Sequence, residues 1–415
     1  MFKRVLSAFL CALLLLSCAS CAPKAQKSFN KNTKQFFEMY ESEQSVGKAK
    51  KVSEYSENGS FAYVYPQTGN EQLDKQIVEY CENLKNDFTS RMSSENDTLF
   101  ISYKSYSPTE NVIGVQMFAK MSLGENVTET SQCFNTGINV TDDFKKLAAI
   151  CAREQYPEIT KHSFKDFLIK NDCVEVVFEQ GTATIQFNDL RPFVPEALVT
   201  ASGRFVDVTK KMVALTFDDG PHNTYSNQIL DTLEKHNSVA TFFEVGNLVA
   251  QGADTIKRAD AMGCEIASHT WSHGNLQTLS KDKILSQIGD ADEAFEKVLG
   301  KKPKLLRPPY GAVGKTLLSS TDKYLIGWSV DTNDWKYRDK NKVVSSVKNE
   351  GDLDGDVILM HSLYKSTAQA VEELVPWLIE QGYQLVTVSE LVKYKYEDTL
   401  KEGKYYAYNY FDYEK

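Results

Sequence analysis

Short apolar runs, each closed by a polar or charged cluster, recur through the second half of the chain. Residues 213–217 run into Asp218-Asp219-Gly220-Pro221, 264–267 into Ser268-His269-Thr270-Trp271-Ser272-His273, and Leu305-Leu306 into Arg307-Pro308-Pro309-Tyr310. Residues 325–330 precede Asp331-Thr332-Asn333-Asp334-Trp335, and 357–360 precede His361. Runs of this kind read as buried strands, and 240–243 and 385–388 add two more. Between them apolar positions recur at helical spacing. Ser280 caps a helix bearing Ile284, Leu285, Ile288, Ala291, Phe295 and Leu299 that stops at Gly300, and Ser366 opens another with Val371, Leu374, Val375 and Leu378. About seven strand-helix units predict an α/β fold, a distorted and incomplete (β/α) barrel over residues 201–395. Charged and imidazole groups just past strand ends are where such a barrel builds its chemistry.

The first half is patterned differently and predicts a smaller α+β domain over residues 53–200. Residues 61–65, 99–106 and 112–121 read as strands, and 174–178 with 183–187 as a hairpin across Gln180-Gly181. Leu73, Ile77, Val78, Cys81, Leu84 and Phe88 mark one helix, and Phe144, Leu147, Ala148 and Cys151 another. Residues 19–52 are rich in Lys, Ser, Asn, Gln and Glu and read as a tether. The Tyr-, Lys- and Glu-rich tail, 396–415, fits either packing on the barrel or a loose end.

A chain of 415 residues accommodates two such domains. A net charge of −9 without a basic stripe argues against nucleic acid as a partner. Met1-Phe2-Lys3-Arg4, an apolar run over 5–16 and Ser17-Cys18 have the layout of an export signal, too short for a good membrane span. Of the later cysteines, four of five lie in the first half, where Cys81 and Cys151 fit either a disulfide or a buried thiol.

Asp219, His269 and His273 form the candidate metal set. Two imidazoles at His-x-x-x-His spacing and one carboxylate leave an open position for water. These ligands suit Zn²⁺ best, with Co²⁺, Ni²⁺ or Mn²⁺ able to substitute. His-x-x-x-His alone is met by chance on many helices, and each residue of Asp-Asp-Gly-Pro favours turns, but two adjacent carboxylates after five apolar residues are a costly way to make a plain one. Together, each at a strand end, they point to a metal-dependent hydrolase.

In order and type, the five clusters resemble those of the polysaccharide deacetylases of carbohydrate esterase family 4, across about 205–395. The resemblance implies that Asp218 is the catalytic base and that Asp219, His269 and His273 bind metal. It implies further that Arg307 steadies the base and the Tyr310 backbone N–H helps hold the oxyanion. Asp331 is expected to orient the acid, His361, with Trp335 and Leu359 walling the acetyl pocket. Leu15-Leu16-Ser17-Cys18 resembles the bacterial lipobox, which implies lipidation at Cys18 and a membrane anchor facing the cell wall; a simple secretory cut nearby is the alternative. The first half is similar to a small extracytoplasmic domain found beside such deacetylases, on Phe134-Asn135-Thr136-Gly137, Asp142-Asp143-Phe144 and Arg191-Pro192-Phe193. That implies a wall- or glycan-binding module.

The expected substrate is an N-acetylated glycan, with N-acetylglucosamine of peptidoglycan first and N-acetylmuramic acid, chitooligosaccharide or an O-acetylated polysaccharide as alternatives. A glycan-binding or sensing lipoprotein without catalysis is the reading from another class.

Overall fold

Parallel strands in the second half bring their C-terminal ends to one rim, and the candidate residues follow those ends. The computed structural model describes residues 22–41, 46–200, 204–397 and 400–406. The chain divides into two units, Met1–Ala201 and Ser202–Lys415. The expected export signal and Cys18 lie outside the described residues. Among those described, no helix is long and apolar enough to cross a membrane.

In the first unit, β1 (Lys48–Ser56), β2 (Gly59–Gln67), β3 (Thr98–Thr109), β4 (Val112–Leu123) and β5 (Asn126–Asn135) form one sheet in that order. The β2–β3 pairing is parallel and so requires a crossover, which the helix Glu71–Arg91 supplies. Asn70 starts that helix by accepting the Leu73 N–H at 3.0 Å, and Leu73, Ile77, Cys81 and Phe88 are buried in the sheet's core cluster. A second, antiparallel sheet holds β6 (Phe164–Ile169), β7 (Cys173–Phe178) and β8 (Thr182–Gln186), the last two being the expected hairpin.

One expectation for this half needs correction. Much of the segment read as a tether is ordered: Ala22–Glu41 is a helix whose Phe29, Phe36 and Phe37 pack on the sheet's core, and β1 pairs with β2. Few apolar residues sufficed because three aromatics fall at near-helical spacing. Strand β5 escaped notice because it is a polar, exposed edge with no alternation to read. Among the described residues Cys81, Cys133 and Cys173 form no disulfide, so of the two alternatives left open Cys81 takes that of a buried thiol.

In the second unit the sheet runs β14 (Val330–Asp331), β15 (Val357–His361), β9 (Lys211–Asp218), β10 (Thr241–Glu244), β11 (Glu265–Ser268), β12 (Leu305–Leu306), β13 (Tyr324–Ile326) and β17 (Tyr405–Tyr406). It curls as a half-barrel. Strand β9 is the hub, because β16 (Tyr383–Leu385) pairs with its first half and β15 with its second. Phe217 stacks on Phe242 with ring centres 5.2 Å apart, and Ile229, Leu230, Val371, Leu374 and Leu378 from two covering helices complete the core. Register places His361 opposite Asp218 and Glu244 opposite Ser268, so one rim collects the polar groups.

Among the described residues nine strands form this sheet, where about seven were expected. The 325–330 run breaks around Gly327 into β13 and β14, and the tail contributes β17. Strand β16 ends at Leu385; Thr387 and Glu390 then form a capping box that turns Val388 into a helix.

Candidate active site

At the end of β9 the backbone turns left-handed at Asp219 (φ 69°), and it does so again at Thr270 (φ 68°) and His273 (φ 58°). Non-glycine residues in this region carry strain that collects at functional sites. Here the turns bring Asp219 Oδ1 to 3.4 Å from His269 Nε2 and 3.2 Å from His273 Nε2. That oxygen is buried and makes no hydrogen bond of normal geometry among the described residues. His269 Nδ1 lies 2.7 Å from the Arg307 carbonyl oxygen, which places the ring proton there and leaves the Nε2 lone pair facing Asp219. Burial, then the neighbouring His269, pushes His273 below its ordinary pKa and keeps it in the neutral, ligating form. Ligand atoms of the three residues lie within 4.8 Å of one another. An unsatisfied carboxylate oxygen facing two imidazole lone pairs fits a divalent metal.

Asp218 sits beside this cluster, with Oδ2 at 3.7 Å from His269 Nε2. Arg307 Nη1 donates to its Oδ1 at 2.7 Å and to Thr216 Oγ1 at 2.8 Å. The guanidinium is fully buried, also donating to Gly327 O at 2.6 Å and lying 4.0 Å from the centre of the Phe243 ring. A buried cation with every edge engaged cannot swing, so one oxygen of Asp218 is fixed and the other faces the cluster.

His361 closes β15. Its Nδ1 meets Asp334 Oδ1 at 2.7 Å, and its backbone N–H donates to Asp334 Oδ2 at 2.7 Å. Thr367 Oγ1 donates to the same Oδ2 at 2.6 Å. The free nitrogen, Nε2, points toward the cluster, 4.0 Å from Asp219 Oδ2. Burial disfavours the charged imidazole, but Asp334's hydrogen bond and charge, aided by Asp218 and Asp219, outweigh it and lift the pKa to about 9.

This corrects the role expected of Asp331. Its Oδ1 accepts the Asn333 N–H at 2.8 Å, which shapes the turn leaving β14. Asn333 is left-handed (φ 53°), so the chain doubles back and the third residue after Asp331 reaches the histidine. Asp334 stood in the same cluster, directly before Trp335 at the start of a short helix (Asp334–Tyr337). Sequence alone offered two aspartates and no way to choose the inward one.

Of the other expected residues, Tyr310 and Trp335 follow strand ends and Leu359 lies within β15. Tyr310 is left-handed (φ 62°) and largely exposed, its ring edge-on to His273 at 4.7 Å. Trp335 is half exposed beside Asp334, and Leu359 is buried in β15. Glu244 was not anticipated, although it closes β10 as Asp218 closes β9. It is buried, its Oε2 has no hydrogen-bond partner among the described residues, and burial followed by Asp218 and Asp219 pushes it up to about 8. A side chain at Gly220 would place its first carbon 2.4 Å from Glu244 Oε2 and from Ser362 Oγ, so only glycine fits between the aspartates and that carboxyl.

The polysaccharide deacetylase family profile matches residues 205–326. The peptidoglycan-N-acetylmuramic acid deacetylase PdaC of Bacillus subtilis is 43% identical over 56% of this chain and 50% of its own length. The peptidoglycan-N-acetylglucosamine deacetylase PgdA of Listeria monocytogenes is 30% identical over 88% of this chain and 80% of its own. The chain thus spans half the length of the first relative and four-fifths of the second. A solved structure of the Bacillus subtilis PdaC is 43% identical over 46% of this chain and 95% of that one, with a TM-score of 0.45.

Proposed function

The chain belongs to the polysaccharide deacetylase family, and from that premise we propose that it is a divalent-metal-dependent hydrolase removing N-acetyl groups from cell-wall peptidoglycan. The observation that carries this is one rim holding a ligand cluster, Asp219, His269 and His273, between a clamped carboxylate and an oriented imidazole. A divalent ion bound there, zinc by ligand preference, supplies a Lewis acid and lowers the pKa of water toward neutrality.

The protein's own groups supply the proton traffic. Asp218, held at Oδ1 by Arg307, offers Oδ2 as the base that takes a proton from the attacking water. His361, charged at neutral pH, donates from Nε2 to the departing amine, which leaves poorly as an anion. Asp334 is its positioning residue, fixing the ring and the proton on Nδ1. The Tyr310 N–H is assigned to the oxyanion, and Trp335 with Leu359 to the acetyl pocket.

N-acetylglucosamine is the sugar we assign first, because the relative matching most of the chain acts on it. N-acetylmuramic acid is the second reading, favoured by the higher identity of the relative matching 56% of the chain. The Leu15-Leu16-Ser17-Cys18 sequence supports a lipid anchor at Cys18, and the first unit is assigned to holding the enzyme on wall glycan. The test is acetate release from purified peptidoglycan. It should stop when a chelator strips the metal and return with zinc; release that survives chelation in a metal-free preparation would defeat the proposal.

A further inference from the structure

The loop that holds the acid also carries charge that the proton transfers leave unused. Arg338 is exposed and left-handed, with φ 48°, a conformation L-residues avoid. Its N–H donates to the Asp334 carbonyl at 2.9 Å, so the residue that positions His361 also fixes the root of Arg338. The guanidinium lies 4.6 Å from the centre of the Tyr364 ring, and that ring is 6.0 Å from the His361 ring. A cation therefore stands one aromatic ring away from the acid.

It is not alone. Lys336 and Lys342 hold their ammonium groups 5.5 and 4.7 Å from the Tyr337 ring centre. Among the described residues, Lys336, Arg338 and Lys342 have no carboxylate partner, whereas Lys340 is paired with Glu373 at 2.9 Å. The only acid in the run 335–342, Asp339, caps the helix Lys340–Lys348 by accepting the Lys342 N–H at 3.0 Å. A chain of net charge −9 thus gathers three cations without a carboxylate partner among the described residues in the segment that follows Asp334. Arginine stacked on an aromatic face presents a rigid fork suited to a carboxylate.

We propose that Arg338, supported by Lys336 and Lys342, recognises a carboxylate on the glycan and separates peptidoglycan from neutral N-acetylated polymers. This rests on the peptidoglycan reading above. Peptidoglycan offers two sources of that group, the lactyl carboxylate of a muramic acid freed of its peptide and the carboxylates of the stem peptide. Chitooligosaccharide offers none.

The experiment compares kcat/KM for wild type, Arg338→Gln and Arg338→Lys on three substrates: peptidoglycan glycan bearing stems, the same glycan stripped of stems by an amidase, and chitooligosaccharide. The ratio of anionic to neutral kcat/KM should fall about 10-fold in Arg338→Gln, chiefly through KM, with partial retention in Arg338→Lys. In wild type that ratio should also fall as salt is raised, since an exposed pair is screened. A fall confined to stem-bearing glycan assigns the stem carboxylate, and one confined to stripped glycan the lactyl group. Equal losses on all three substrates, the result of a purely structural role, would overturn the inference while leaving the proposed function intact. Wild type inert on both peptidoglycan substrates but active on chitooligosaccharide would overturn both.

Discussion

His361 Nδ1 and Asp334 Oδ1 are 2.7 Å apart, and the same carboxylate takes the His361 backbone N–H through its other oxygen. One aspartate therefore sets both the ring and the strand end that carries it. With the imidazole lifted to about 9, the acid is charged through neutrality and activity should decline as pH rises toward that value. Asp334→Asn removes the main charge holding the proton, so the alkaline limb should move to lower pH and kcat should fall by about 10²- to 10⁴-fold. Asp331→Asn, which disturbs only a turn contact, should leave the limb in place. A pH–rate profile of both variants checks this, and a limb shift confined to Asp331→Asn would contradict the assignment.

Metal content tests the cluster directly. Purified protein should hold about one divalent ion per chain, and His269→Ala with His273→Ala should lose it. Elemental analysis is the measurement, and full retention by the double variant would remove the cluster from the account.

Arg307 joins folding to chemistry. Replacing it with alanine leaves Asp218 buried without its cation, at a cost of about 3–5 kcal/mol in unfolding free energy. Arg307→Lys should recover only part, because one ammonium cannot reach Asp218, Thr216 and Gly327 together. Denaturant melts of the two variants report both effects.

Glu244 makes a prediction of opposite sign. Folded, it keeps its proton up to about 8, against an ordinary 4.5 when exposed. Its contribution is thus complete below the ordinary value and is lost as pH rises through the folded one. Glu244→Gln removes that dependence. In metal-free protein, the melting temperature of the variant should gain on wild type steadily between about pH 4.5 and 8. A constant difference across that range would show that the carboxyl is not held protonated.

Much of this was legible beforehand because strand ends in a parallel barrel have a strong signature: an apolar run followed by chemistry. Asp218, Asp219, His269, His273, Arg307 and His361 all follow that rule, and the structure brings them to one rim. Asp331 and Asp334 defeated it, since choosing between them needs the left-handed turn at Asn333, which composition does not announce. Glu244 was passed over because a lone acid after two phenylalanines looks like an ordinary strand terminus; only burial beside two aspartates marks it. Strand β5 and the helix Ala22–Glu41 were missed for a related reason, because an exposed edge and a sparsely apolar helix show little period to read.

The most direct measurement is mass spectrometry of muropeptides after treatment of purified peptidoglycan with the wild-type protein and with Asp218→Asn. Wild type should yield sugars lighter by one acetyl group, with fragmentation assigning the loss to glucosamine. Asp218→Asn should retain metal yet leave the acetyl groups in place, because a carboxamide cannot accept the proton from water. Unchanged muropeptides from metal-loaded wild type, or equal deacetylation by Asp218→Asn, would contradict the account.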